Sequence, residues 1–133
     1  MVLYGIISVG IGAMLGAWLR WGLSLLLNPV VPMLPLGTLT ANLIGGYLVG
    51  LVLGHMEHFQ SLSPETRLLV TTGFLGGLTT FSTFSAETIA LLLRQEYLWA
   101  GLIVGAHVIG SLTMTLLGVG TIVLLRGWLA SHA

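Results

Sequence analysis

From Tyr4 to Leu27 the chain is apolar, with Arg20 its one ionic interruption. Three more stretches of the same character follow, at about 36–54, 67–93 and 97–125. At ~1.5 Å per helical residue the first is long enough to cross a ~30 Å hydrocarbon core. A soluble domain carries roughly 25% charged residues. Here charged residues are 6% and apolar residues 56%, with a mean hydropathy of +1.04. Four basic and four acidic side chains cannot cover a surface in water, so the solvent for most of the chain is lipid.

The breaks between the stretches carry turn chemistry. Asn28-Pro29, Pro32 and Pro35 close the first, because proline lacks a backbone donor and disfavours helix just before it. His55-Met56-Glu57-His58 closes the second. Ser63 reads as an N-cap with Pro64 at the first helical position. Only about Arg94 to Glu96 separates the third stretch from the fourth, so those two are expected to be antiparallel neighbours. Arg126-Gly127-Trp128 is expected to end the fourth. Tyr4, Tyr97, Trp99 and Trp128 lie near span ends, where amphipathic rings favour the interface. The expectation is an all-α integral membrane domain over 1–133, with four transmembrane helices and short connections. No basic segment precedes the first apolar run, so a permanent helix is expected there and not a cleaved signal peptide.

Charge excludes several functions. The formal net charge is zero and the basic residues are Arg20, Arg67, Arg94 and Arg126, so no basic patch exists to neutralise nucleic acid. Without cysteine there is no disulfide, thiolate nucleophile or cysteine-based metal site. The arginines also give almost no orientation bias. Arg67 and Arg126 fall on one side and Arg94 on the other, joined by Arg20 if it reaches that way. Balance of this kind predicts that copies insert both ways and pair as an antiparallel dual-topology homodimer; the alternative is that four arginines are too few to count.

Gly12 and Gly16, then Gly46, Gly50 and Gly54, then Gly101 and Gly105 recur at intervals of four, a pattern that lets helix backbones approach in lipid. Gly10, Gly12 and Gly16 do not form a dinucleotide fingerprint, because the third glycine is one position late and no strand precedes it.

The informative segment is TTGFLGGLTTFSTFSAE, Thr71 to Glu87. Glycines and hydroxyls crowd the middle of an apolar stretch. One reading is a helix break near Gly76 to Thr80, whose free carbonyls would suit a cation. The other is a continuous helix with a small, packed face. Phe81 and Phe84 share a face: either they pack, or their positive ring edges meet an anion. Asn42 carries two amide donors that need partners in lipid. His107, Ser111 and Thr115 form one stripe on the fourth stretch, open both to local back-bonding and to ligand contact. Hydroxyl and amide donors without a nearby lysine suit a small, strongly hydrated anion that must bind and then leave. Arg20 either snorkels or lines a vestibule, and Glu87 is either a proton-coupled carboxylate or a solvated one at a cavity mouth. The pair His55 and His58 lacks further ligands for a metal.

GGLTTFSTFSAE in a chain of this length resembles the Fluc (CrcB-like) fluoride channels. Leu19-Arg20-Trp21, Gly37-Thr38-Leu39 with Asn42, and His107-Val108-Ile109-Gly110-Ser111 extend the match to essentially the whole chain. The resemblance implies a third helix broken mid-membrane and two fluoride pores at the interface of an antiparallel homodimer. It implies that Phe81 and Phe84 line the pores with Asn42 and Ser111 as polar partners, that Glu87 and Thr115 lie along the route, and that Arg20 sits near a vestibule. It further implies a structural, untransported Na+ at the dimer centre, on the backbone carbonyls of Gly76 and Thr79. Such proteins sit in the bacterial inner membrane and let out cytoplasmic fluoride, which enters as neutral HF and is trapped as the anion.

Two other classes fit the sequence less well. A small dual-topology multidrug exporter needs a carboxylate in its first span, where this chain has Arg20 and no acid. A non-transporting membrane assembly subunit leaves the Thr79–Ser85 cluster unexplained. An enzyme is not expected, since no catalytic motif appears.

Overall fold

The computed structural model describes residues 2–132, and of Glu57 and His58 the backbone alone. Its elements are helical throughout: α1 Val2–Leu27, α2 Leu36–Gly54, α3 Met56–Ser61, α4 Pro64–Leu68, a π-helical stretch Leu69–Leu75, α5 Gly76–Leu78, α6 Phe81–Leu93 and α7 Tyr97–His132. Of these, α1, α2 and α7 are each long and apolar enough to cross a membrane.

The caps follow from the sequence. Asn28 ends α1 and also starts α2, because its Oδ1 accepts the Gly37 amide at 2.8 Å across the proline turn. Ser63 Oγ accepts the Thr66 amide at 3.2 Å, with Pro64 at the first helical position. Helix α6 ends in a Schellman turn: the Glu96 amide donates to the Leu91 carbonyl at 2.9 Å and the Gln95 amide to that of Leu92 at 3.0 Å. Gln95 takes the left-handed conformation, φ 61°, that the turn requires. The tight turn sets α6 against α7, where Phe84, Leu91, Ala100 and Ile103 form a shared core.

The stretch 67–93, expected to be a third span with a break near Gly76 to Thr80, is a succession of α4, the π-helical stretch, α5 and α6. Within it, Gly76 and Gly77 stay helical, and the chain leaves the helical region at Thr79 (φ −81°, ψ 152°) and Thr80 (φ −151°, ψ 115°). Finally, α7 runs through Arg126-Gly127-Trp128 to His132, because a glycine alone does not stop a helix whose neighbours are good helix formers.

Small residues set the packing. A Cβ on Gly12 would stand 2.9 Å from the Gly73 Cα, and one on Gly50 would stand 2.9 Å from the Gly118 Cα. These two glycine crossings seat α1 on the π-helical stretch and α2 on α7. By contrast, among the described residues nothing lies within 4 Å of a Cβ on Gly101 or Gly105, so that pair makes no close helix crossing there. Few side chains are buried, and those include Ala41, Leu78 and Ile103. Most large apolar side chains face outward, as expected where the surrounding medium is as apolar as leucine.

Candidate functional site

The site is built around the two extended residues. Leaving the helix at Thr79 and Thr80 frees backbone groups that cannot be hydrated at membrane depth. Asn42, midway along α2, takes both groups of Thr80: its Oδ1 accepts the Thr80 amide at 2.8 Å and its Nδ2 donates to the Thr80 carbonyl at 3.1 Å. Nδ2 also lies 3.0 Å from His107 Nδ1 on α7. The Thr80 hydroxyl then restarts the chain as the cap of α6, accepting the Thr83 amide at 3.2 Å.

Phe81 and Phe84 follow on the first turn of α6. Their rings meet edge to face, 5.4 Å apart at 67°. Their environments differ sharply, since Phe84 is 8% exposed and Phe81 79%. The Phe84 ring lies 4.5 Å from the His107 ring. A groove of about 440 Å³ runs past Asn42, Phe81, Phe84, Ser111 and Thr115, and Thr79 is also on its wall.

The hydroxyls on the α7 stripe are not equivalent. Thr115 Oγ1 donates to the carbonyls of Gly46 at 3.1 Å and Ser111 at 3.0 Å, which commits its proton to the backbone. Ser111 lines the same groove, and among the described residues its hydroxyl makes no hydrogen bond, so its proton is available.

Arg20 and Glu87 stand apart from this groove. Arg20 Nε donates to the Gly77 carbonyl at 3.0 Å, closing the end of α5 with a positive charge. Glu87 Oε1 accepts from the Thr38 hydroxyl at 2.7 Å, beside a small cavity of about 140 Å³ near Pro32, Pro35 and Arg94. Thr38 lies one turn before Asn42 on α2, and Glu87 one turn after Phe84 on α6. The Thr38–Glu87 pair therefore forms a second polar layer beside the first.

Gly76 and Thr79 are two of the carbonyls that lose their helical amide at the break. The Thr80 amide, which would return to the Gly76 carbonyl in a continuing helix, is held by Asn42. The Thr83 amide, which would serve Thr79, is held by Thr80 Oγ1. Gly76 and Thr79 share a second depression of about 430 Å³ with Val49, Leu53 and Met56. Oxygen donors freed in this way fit a hard monovalent cation. No cluster of three metal-binding side chains occurs among the described residues, and the side chain of His58 lies outside them.

Sequence reasoning named Asn42, Phe81, Phe84, Ser111 and Thr115, and the groove brings these together. It did not foresee that Thr38 is the partner of Glu87, nor that His107 belongs with Asn42. The i, i+4 spacing of Thr38 and Asn42 carried the first signal. Nothing local carries the second, because 65 positions separate Asn42 from His107.

The chain matches, over residues 7–119, the family model described as CrcB-like protein, Camphor Resistance (CrcB). It is 56% identical over 132 residues to a protein of Nitrosospira multiformis named fluoride-specific ion channel FluC, covering 99% of this chain and all of that one. Proteins with the same name from Pseudomonas putida (52% over 126 residues, 95% of this chain and 99% of the relative) and Cupriavidus necator (56% over 117 residues, 88% and 93%) are similarly close.

Proposed function

The chain belongs to the CrcB-like family, and from that premise we propose that it is a fluoride-specific ion channel that releases cytoplasmic fluoride passively down its electrochemical gradient. It is a channel and not an enzyme. The observation that carries this reading is the groove at the interrupted helix: one free serine hydroxyl and two phenyl rings, set beside an asparagine that braces the break, with no ammonium or guanidinium on its wall. Fluoride surrenders its water only to many donors at close range. Ring edges carry positive quadrupole charge and supply part of that replacement. A full positive charge would hold the ion too tightly for conduction. Phe81, Phe84, Asn42 and Ser111 line the path; Thr115 continues it at one end and Glu87, with Thr38, at the other. Arg20 lies near the vestibule, where its charge favours anion entry.

In this reading the chain is a single domain of four spans, 4–27, 36–54, 67–93 and 97–125, with the third interrupted at Thr79-Thr80. It works as an antiparallel, dual-topology homodimer in the bacterial inner membrane. The outward position of Phe81 and the absence of an arginine bias support that assembly. So does the cation pair, because two-fold symmetry would double the Gly76 and Thr79 carbonyls into a more complete oxygen set for a structural Na+. The ion would supply charge to hold these carbonyls together and is not transported.

Purified protein in liposomes, followed with a fluoride electrode, tests the function. Fluoride efflux should far exceed that of protein-free vesicles, and chloride should be retained. Efflux no faster than from empty vesicles would reject the channel.

A further inference from the structure

Among the described residues, two buried side-chain atoms have no hydrogen-bond partner: Glu87 Oε2 and His107 Nε2. His107 is 5% exposed, so its unpartnered nitrogen is not open to bulk solvent. A buried polar atom without a partner is costly, and in a native protein it calls for a reason.

The protonation of the ring follows from its neighbour. The Thr80 amide can only donate, so the Asn42 atom that receives it at 2.8 Å is the oxygen. The other atom of that side chain is then the NH2 group, which donates to the Thr80 carbonyl and faces His107 Nδ1 at 3.0 Å. An amide NH2 accepts nothing, so Nδ1 is the bare nitrogen and the ring proton sits on Nε2. A charged imidazolium would set a hydrogen on Nδ1 against the Asn42 NH2, so the neutral ring is the form that fits. Phe84 lies against the imidazole at 4.5 Å and limits its rotation. His107 therefore holds a fixed N–H donor, buried behind the wall of the groove that the residue shares with Phe84 and Ser111, so an anion in that groove reaches it only where a neighbouring side chain gives way.

Resting on the reading of that groove as a fluoride path, we propose that His107 has two linked roles. It is the positioning residue that orients Asn42, and its Nε2–H is a donor site for the passing anion, a small hard acceptor. The titratable group of α6 is Glu87, one turn beyond Phe84, whose Oε1 is held by Thr38 and whose unpartnered Oε2 is the rival acceptor. The packed face of α2 offers Asn42 and Thr38, neither of which titrates.

Nitrogen-15 NMR of the histidine rings in the full-length protein tests the proposal, with His107→Gln assigning the signal by its loss. The expected signature is a bare Nδ1 and a protonated Nε2, with the Nε2 signal moved by sodium fluoride and not by sodium chloride at equal ionic strength. An Nδ1–H tautomer, or an Nε2 signal that fluoride leaves in place, overturns the proposal. An Nε2 signal moved by Glu87→Gln but not by fluoride gives the donor to Glu87 and overturns it as well. In flux, His107→Gln offers one acceptor and one donor and should stay within about threefold of the parent, whereas His107→Phe keeps the shape without either and should lose about tenfold. Equal flux in both variants counts against the donor. A parent protein that passes no fluoride defeats the channel reading, and the tautomer signature then still decides the orientation of Asn42.

Discussion

Asn42 and Thr80 exchange two hydrogen bonds, at 2.8 and 3.1 Å, across 38 positions of sequence. One side chain on α2 thus replaces the helical partners that the backbone loses where α5 gives way to α6. The interruption is held open by a specific amide and not by the glycines that precede it.

Asn42→Ala strands the Thr80 amide and carbonyl together. Each unsatisfied buried group costs about 1–3 kcal/mol, so the protein should melt earlier and pass fluoride at least about tenfold more slowly. Asn42→Asp keeps the acceptor for the Thr80 amide but adds negative charge to an anion path. It should therefore recover more of the thermal stability than of the flux. Melting in detergent and efflux from liposomes, measured side by side, check both. Parent-like flux in Asn42→Ala would remove the amide from the path.

The phenyl pair separates packing from conduction. Phe84 is buried, so Phe84→Ile should cost about 1–3 kcal/mol of stability as well as flux. Phe81 is exposed in the single chain, so Phe81→Ile should leave the fold of each protomer intact while flux falls. Fluoride efflux together with the elution volume of the purified protein distinguishes these outcomes. Undiminished efflux in both variants would leave the rings as packing alone.

Sodium should stabilise without being carried. If the Gly76 and Thr79 carbonyls hold it, each tenfold rise in sodium above its dissociation constant adds about 1.4 kcal/mol to the folded dimer. The melting temperature should climb when sodium replaces a bulky organic cation at constant ionic strength. A flat melting curve across that exchange argues against the cation site.

A tag on the carboxyl terminus should react with impermeant reagent from both sides of the membrane. Labelling confined to one side would exclude the dual-topology dimer and leave the arginine balance without structural meaning.

How much of this was legible beforehand differs by element. The limits of α1 and α2 follow from Asn28-Pro29 and Pro35, because prolines and caps act locally and leave their mark in the residues themselves. Ser63-Pro64 declares the start of α4 for the same reason. Helix faces were harder. In lipid a span is apolar all round, so hydrophobic periodicity does not say which side meets a neighbour. Spacing alone gave Gly101 and Gly105 the same standing as Gly50, yet only Gly50 meets another helix within the chain. Gly76 and Gly77 read as helix breakers on propensity, but contacts with α1 hold them helical, and the break falls on the next pair of threonines. The pairs Asn42–His107 and Thr38–Glu87 are tertiary facts, set by how α2 packs against α7 and α6.

Helix α7 has a further consequence. Its 36 residues extend about 54 Å, well beyond a ~30 Å hydrocarbon layer. Tyr97 and Trp99 anchor its beginning at one interface, so the surplus length emerges at the other, past Arg126. The final turns then form a stiff post standing in water, removed from the ion path. In an assembly of oppositely inserted copies, one such post rises from each leaflet, and a binder raised against it would decorate the inside and the outside of the same vesicle.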